Sequence, residues 1–325
     1  MKTLIIDENH ENQRIDKYLK KLLCRAPSSF IYKMLRKKDV KVNGVRVKEN
    51  YILKKGDQVE LFLYEDKFQE YTQEQSIYDL KIEFDVIYED ENILVVGKPA
   101  GLLVHEDIHE DINTLDHQVL TYLYQKGEYD PKSDLGFTPG PVHRLDRNTS
   151  GIVIFGKTMR ALQDLNEMMK KRHCIDKTYL TICFGNMPSK ELIGYMKKDS
   201  VLNKVQVVSK DTPDALTMHT IVENVQTNGQ YSLLKVRLVT GRTHQIRIHL
   251  SSVHHPIIGD KKYGDFEKNK MIKKKYHLNH QFLHAYQIRF TKPIGSLKYL
   301  QDLVLTCPLP QDLKQIKDDI FKLWK

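Results

Sequence analysis

Apolar residues recur first at helical and then at strand spacing along the N-terminal sixty positions. Ile15, Leu19, Leu22 and Leu23 stand at i, i+4, i+7 and i+8, one face of a helix. Pro27-Ser28-Ser29 precedes Ile31, Met34 and Leu35, which predicts a second helix capped by Ser28 or Ser29. Lys33, Arg36 and Lys37 fall outside that apolar stripe and predict an exposed basic face. The period then shortens to two. Val40-Lys41-Val42 and Val45-Arg46-Val47 alternate around Asn43-Gly44, a strong hairpin signal. Beyond Lys55-Gly56, Val59 to Leu63 predicts one more strand.

From about residue 83 short apolar strands alternate with amphipathic helices, without an internal repeat. Ile93-Leu94-Val95-Val96 predicts a strand running into a tight turn at Gly97-Lys98-Pro99-Ala100-Gly101. Asn113 or Thr114 is placed to cap a helix through Leu115, Val119, Leu120 and Leu123. Ile152 to Phe155 is a strand; Leu162, Leu165, Met168 and Met169 mark a helix ending in Lys170-Lys171-Arg172. Lys177 to Ile182 is the next strand, with Lys177 and Tyr179 two apart and so on one side. From Pro310, Leu313, Ile316, Ile320 and Leu323 predict a final helix. The expected class is α+β. No apolar run approaches the roughly 18 residues of a membrane span, so no membrane partner is expected.

Composition sharpens this picture. A chain of 325 residues suggests two domains. The N-terminus, with Asp7, Glu8 and Glu11, is neither a secretory signal nor an acid-poor transit peptide, and a cytoplasmic location is expected. The four cysteines lack CxxC spacing, against disulfides and a zinc ribbon. A net charge of +9 favours a polyanionic partner. The excess is concentrated: residues 11–60 hold fourteen Lys/Arg against six acids, and residues 64–92 hold ten acids against two lysines. These shifts predict a basic domain over 12–63, an acidic linker over 64–82 and a larger domain over 83–325. No dimer seam is evident, and a monomer is expected.

The candidate chemistry lies at His143-Arg144-Leu145-Asp146-Arg147-Asn148-Thr149-Ser150-Gly151. An acid between two fixed cations, in a turn-prone loop before an apolar strand, suits work as an anion on a nucleotide whose phosphates the arginines hold. The string resembles the active-site motif of the RluA-type pseudouridine synthases, in which the aspartate is catalytic. The resemblance covers most of 85–295. Gly241-Arg242-Thr243-His244-Gln245-Ile246-Arg247 is similar to that family's GRTHQIR motif, Lys177-Thr178-Tyr179 to its K-x-Y, and Gly97 to Gly101 to its first motif. Asn148 departs from it where many relatives carry a further acid.

The resemblance implies a pseudouridine synthase fold: a mixed, mainly antiparallel sheet with flanking helices and a central cleft. Residues 12–62 are similar to the RNA-binding module first named for a small-subunit ribosomal protein. It also implies roles. Asp146 is catalytic, Tyr179 stacks near the target base, and Arg247 pairs with the Asp146 carboxylate in a charge-assisted fork. Arg144 is suited to fill the space a flipped nucleotide vacates. His143, Arg147, Lys177, Arg242 and Lys98, with Lys33, Arg36 and Lys37, are candidates for holding RNA. Thr243 is placed to cap the helix bearing Arg247. Residues 255–264 and 283–285 read as architecture, with an RNA-facing role left open, and not as chemistry.

The implied reaction isomerises a uridine in structured RNA. The glycosidic C–N bond breaks, the base rotates, and a C–C bond forms to carbon 5. It needs no cofactor and no metal. Attack on ribose, addition to uracil and removal of a ribose proton all remain open roles for Asp146. Tyr179 is suited to hold the detached base and to assist loss of the carbon-5 proton. Ribosomal RNA is the favoured substrate and transfer RNA the alternative. Two rivals stand beside this reading: an RNA-binding protein without catalysis, and a zinc peptidase. The latter rests on His105-Glu106-Asp107-Ile108-His109, which satisfies H-E-x-x-H. That chemistry needs a helix, whereas this string lies in a solvated loop before the Asn113 cap. His244, His249, His254 and His255 cluster too, but Arg242 and Arg247 beside them would repel a cation.

Overall fold

A computed structural model describes residues 1–72, 77–107, 112–132, 134, 136–171, 173–199 and 204–322. The small N-terminal unit comprises β1 (Lys2–Ile5), α1 (Ile15–Leu22), α2 (Ser28–Lys37), β2 (Val40–Val42), β3 (Val45–Arg46), β4 (Gln58–Leu61) and α3 (Glu65–Tyr71). Its sheet runs β1-β4-β2-β3, with all pairs antiparallel. The expected apolar stripes form its core, where Ile15, Leu19, Ile31, Met34 and Leu35 are buried with Val40, Val59 and Leu61. The hairpin turns at Asn43 and Gly44, both at positive φ.

Three expectations are corrected here. Pro27, not a serine, precedes the first turn of α2, and no side chain caps that end. Lys2 to Ile5 forms an edge strand that the sequence did not predict. The acidic stretch is not wholly a linker: Glu65 to Tyr71 is helical, and Phe68 is buried against the small unit's core. Burial of one aromatic ring ties that segment to the domain before it.

The larger unit continues with β5 (Asp85–Glu89), β6 (Ile93–Lys98), α4 (Leu115–Gln125), β7 (Gly140–Pro141), β8 (Ser150–Gly156), α5 (Met159–Lys170), β9 (Ile175–Phe184), β10 (Lys190–Asp199) and β11 (Lys204–Val208). Then come β12 (Leu216–Thr227), β13 (Tyr231–Leu238), α6 (Gln245–Ser252), α7 (Phe266–Tyr276), β14 (Leu283–Phe290), β15 (Val304–Thr306) and α8 (Gln311–Ile320). Strand order is β11-β10-β12-β13-β9-β14-β8-β6-β5, with β15 on β14 and β7 on β8. Among the strands of the described residues only β14 and β8 pair in parallel; Leu103 and Thr114 form an isolated parallel bridge. The fold is α+β with a mixed, mainly antiparallel sheet, as expected.

Strands β6 and β8 read as unbroken apolar runs because both of their faces are covered. Leu94, Val96, Val153 and Phe155 join the core beneath α4 and α8, whereas Ile93, Val95, Ile152 and Ile154 join the one beneath α5. Thr158 caps α5 by accepting from the Ala161 amide. The C-terminal helix α8 buries Leu313 and Ile316 in the first core, and its Asp319 accepts hydrogen bonds from Tyr276 and Lys275 at the end of α7. Leu323 lies outside the described residues. The two units touch: the Tyr18 ring packs on Gly136, leaving no room for a Cβ, and Lys21 Nζ lies 3.7 Å from Met159 Sδ.

Candidate active site

The loop before β8 displays Asp146 because its neighbours are fixed on both sides. Leu145 is buried in the core while Arg144 and Arg147 are exposed. The Thr149 amide donates to the Asp146 carbonyl (3.0 Å), closing a turn. Beyond it, Ser150 and Gly151 pair with His284 and Ala285 of β14. Ser150 Oγ is 2.8 Å from His284 Nδ1, and Gln281 Nε2 donates to Thr149 Oγ1. Gly151 sits at φ +111°, and a Cβ there would lie 2.3 Å from the Ala285 carbonyl oxygen. Only glycine permits that approach.

The first motif clamps the loop from the other side. Lys98 is 1% exposed, and its ammonium donates to the carbonyls of Pro99 (2.9 Å), Leu102 (2.7 Å) and Arg147 (2.9 Å). Gly101 and Arg147 exchange two further bonds. Burial pushes the Lys98 pKa down to about 7, and the Asp146 charge opposes that push. Lys98 therefore braces the aspartate loop. The expectation that it holds RNA is corrected: its donors are already occupied by three carbonyls. Gly97 and Lys98 also remain within β6, so the turn begins later than expected.

Helix α6 presents Arg247. His244, at φ 56°, precedes its first turn, and Thr243 is not the cap. Gln245 Oε1 instead accepts from the Arg242 amide and the Thr240 hydroxyl, shaping the turn. Arg247 Nη1 donates to Asp146 Oδ2 at 2.9 Å. The expected fork goes elsewhere: Arg247 Nε and Nη2 donate to Asp260 at 2.7 and 2.9 Å. Asp260 is 2% exposed and also accepts from the Lys262 and Tyr263 amides. Burial alone would raise the Asp260 pKa; Arg247 and the amides outweigh it and hold it below the usual range. The Arg247 guanidinium lies 5.2 Å from the Tyr263 ring centre. His244 completes the cluster, with Nε2 3.8 Å from Asp146 and Nδ1 2.9 Å from Tyr263 Oη.

Tyr179 reaches the same cluster from β9. It is 7% exposed, its hydroxyl has no partner among the described residues, and burial and the Asp146 charge both raise its pKa. Both effects favour the protonated phenol, which offers a flat surface and a hydrogen-bond donor. Lys177 turns towards α5, where Nζ lies 3.8 Å from Met169 Sδ. His143 Nε2 accepts from the Ile154 amide at 3.3 Å, and burial pushes its pKa to about 3. A neutral ring is no phosphate-binding cation. Arg144 is exposed without a partner among the described residues. Arg242 reaches the Thr217 carbonyl at 3.4 Å. Lys33, Arg36 and Lys37 lie on the exposed face of α2 and touch none of these groups.

Two features escaped the sequence reading. Asp260 fell in a stretch read as architecture, and nothing local distinguishes it from a surface acid. The lysines of 261–275 form a charge run, seven against two acids. They cluster on and before α7, which Asn269 ties to Gly259 and Asp260.

The zinc-peptidase rival finds no support. His105 to Asp107 are not helical, His105 Nδ1 is 2.7 Å from Asp116, and Glu106 lies 3.5 Å from His117. His109 lies outside the described residues. No cluster of three metal-ligating side chains occurs among the described residues. Nor is any of their helices long and apolar enough to cross a membrane.

Comparison with known proteins agrees with this geometry. The RNA pseudouridylate synthase family matches residues 92–252, and the S4 domain matches residues 13–59. The chain is 38% identical to an uncharacterized RNA pseudouridine synthase of Mycoplasma genitalium, over 89% of this chain and 88% of that protein. It is 31% identical to ribosomal large subunit pseudouridine synthase C of Buchnera aphidicola, over 96% and 95%. Human RNA pseudouridylate synthase domain containing 4 shares the fold, with TM-score 0.56 at 22% identity over 72% of this chain and 92% of that one. An aspartate loop locked to a mixed sheet, an arginine aimed at it and an S4 domain in front place this chain in the RNA pseudouridine synthase family.

Proposed function

We propose that this enzyme isomerises uridines of large-subunit ribosomal RNA, with Asp146 as the reacting group. The observation that carries the assignment of Asp146 is its place: a carboxylate 24% exposed at the rim of a buried cluster, held by an arginine that a second carboxylate anchors. In the reaction the C1′–N1 bond breaks and a C1′–C5 bond forms. Carbon 5 loses a proton and N1 gains one, so atoms and electrons balance without a cofactor. Arg247 aims the Asp146 oxygen. Tyr179, held neutral, supports the base while it turns. Exposed Arg144 is placed to enter the space that the flipped nucleotide leaves. All of these groups come from one copy of the chain, so a monomer suffices.

Ribosomal RNA as substrate is supported by the relatives named for the large subunit. The basic face of α2 then binds RNA away from the cleft, through Lys33, Arg36 and Lys37. The test compares RNA from cells with and without the protein, rescued by wild type or Asp146→Ala. Pseudouridines are mapped as carbodiimide-dependent reverse-transcription stops. Stops in large-subunit RNA that return only with wild type are expected. Stops confined to transfer RNA would overturn the substrate, and an active Asp146→Ala the mechanism.

A further inference from the structure

A cavity of about 330 Å³ lies among residues that flank the aspartate loop and the turn before α6, and none of the groups of the Asp146 cluster lines it. Two active-site motifs build it. Val142 and His143 lead into the aspartate loop, and Thr240 to Arg242 lead into α6; Met168 and Met169 of α5 close the far side. Its volume is that of a small-ligand pocket. Met169, Ile175 and Leu238 contribute apolar contacts, the rest of the exposed lining is mostly polar, and its charged groups are cationic: Lys170, Lys177 and Arg242.

Lys177 is the unusual member. No carboxylate pairs with it among the described residues, and the single neighbour within bonding range of its ammonium is the Met169 thioether. Burial pushes its pKa down. A half-buried lysine without a counter-ion is costly to hold and is expected where a ligand supplies the missing acceptor. His143 adds a second donor: its Nε2 is taken by the Ile154 amide, leaving Nδ1 of the neutral ring to carry the hydrogen. Lys177 is two residues from Tyr179 on β9, about 7 Å along the strand.

We propose that this cavity is a subsite for the nucleotide adjoining the target uridine. Its base enters against Met169, Ile175 and Leu238 with an acceptor on Lys177, and its phosphate meets Arg242. Cationic donors beside a few apolar contacts match the acceptor edge and the face of a base, and the RNA chain brings base and phosphate to adjacent sites. The inference rests on the RNA-modifying function proposed above and deepens it, because it makes sequence next to the target matter.

The test uses the full-length enzyme and a synthetic RNA fragment spanning a uridine that it modifies, with an abasic linker replacing each flanking nucleotide in turn. Lys177→Met is expected to melt at or above the wild-type temperature, since it removes a desolvated charge from among methionines. It should weaken RNA binding at least tenfold, the loss falling on the half-saturating concentration more than on the single-turnover rate. At one flanking position the abasic linker should cost wild type tenfold and Lys177→Met under twofold; Lys177→Arg should recover part of the binding. A clear drop in melting temperature for Lys177→Met would instead assign Lys177 to bracing the end of α5 and overturn the proposal. Equal abasic penalties in both proteins at every position would also overturn it. An active wild type with such penalties removes the subsite alone, whereas a wild type that modifies no RNA removes the function as well.

Discussion

Arg247 joins two carboxylates whose removal has opposite consequences. Asp260→Asn deletes a charge whose side chain is 1% exposed, opposite a guanidinium 9% exposed. It leaves a buried cation with Asp146 as its remaining carboxylate. Breaking a buried pair from one side costs about 3–5 kcal/mol. At about 2–4 °C per kcal/mol for a domain of this size, the melting temperature falls by roughly 6–20 °C. Asp146→Asn is different. Its side chain is 24% exposed, and the Arg247–Asp260 fork survives its loss. The stability cost is then about 1 kcal/mol or less, a few degrees at most. Catalysis should respond in the reverse order. Asp146→Asn is expected to release no hydrogen from carbon 5 of labelled RNA above background. Asp260→Asn, assayed below its melting range, should turn over slowly, because Arg247 no longer has a fixed direction. Calorimetry and single-turnover release on the same preparations decide the matter. Equal losses of melting temperature in the two variants, or an active Asp146→Asn, would refute the division of labour.

Acid titration tests the same pair. The Asp260 pKa is held below its ordinary value, so its stabilisation is present above about pH 4 and lost as the pH falls through the folded value. The stability gap between wild type and Asp260→Asn should therefore narrow below about pH 4 in melts taken from pH 3 to 7. Gly151→Ala should cost at least about 1–3 kcal/mol through forced backbone strain, read as a lowered melting temperature; a variant melting with wild type would contradict the close approach to Ala285. Tyr179→Ala should weaken transition-state binding by about 1–3 kcal/mol if the ring supports the base. Tyr179→Phe should keep most of the activity if support of the base by the ring is the main contribution; a loss as large as in Ala would assign the hydroxyl to the carbon-5 proton. Lys273 and Lys274 are exposed on α7 and carry no ion pair among the described residues. Replacing both with alanine should reduce the salt slope of RNA binding by about 0.7–0.9 for each lysine that meets a phosphate.

The parts of this site that are legible in the sequence are those whose partners are close along the chain. Asp146, the turn after it and the glycine that admits β14 are contiguous, so their spacing records the geometry. Strand β8 and helices α1 and α5 are legible for a similar reason, since apolar period reports burial directly. Capping was harder: Ser28 and Thr243 have suitable side chains, yet Pro27 and His244 occupy the positions. Propensity chooses among candidates, but the path of the preceding chain decides. Strand β1 has four residues and α3 one buried side chain, too little for a period to emerge.

Asp260 was hidden for a deeper reason. A buried ion pair leaves no local trace, because each partner looks like an ordinary surface charge until the fold removes water from both. Arg247 is 101 positions from Asp146 and 13 from Asp260, and neither interval is a repeat of any element. The family resemblance supplied the first pairing, but it assigned the fork to the wrong carboxylate. The two assignments differ physically. A fork on Asp146 would occupy the carboxylate proposed to react, whereas a fork on Asp260 fixes the guanidinium and leaves Asp146 one bond from it and an open face. Separating the anchoring carboxylate from the one proposed to react lets the arginine direct Asp146 without enclosing it.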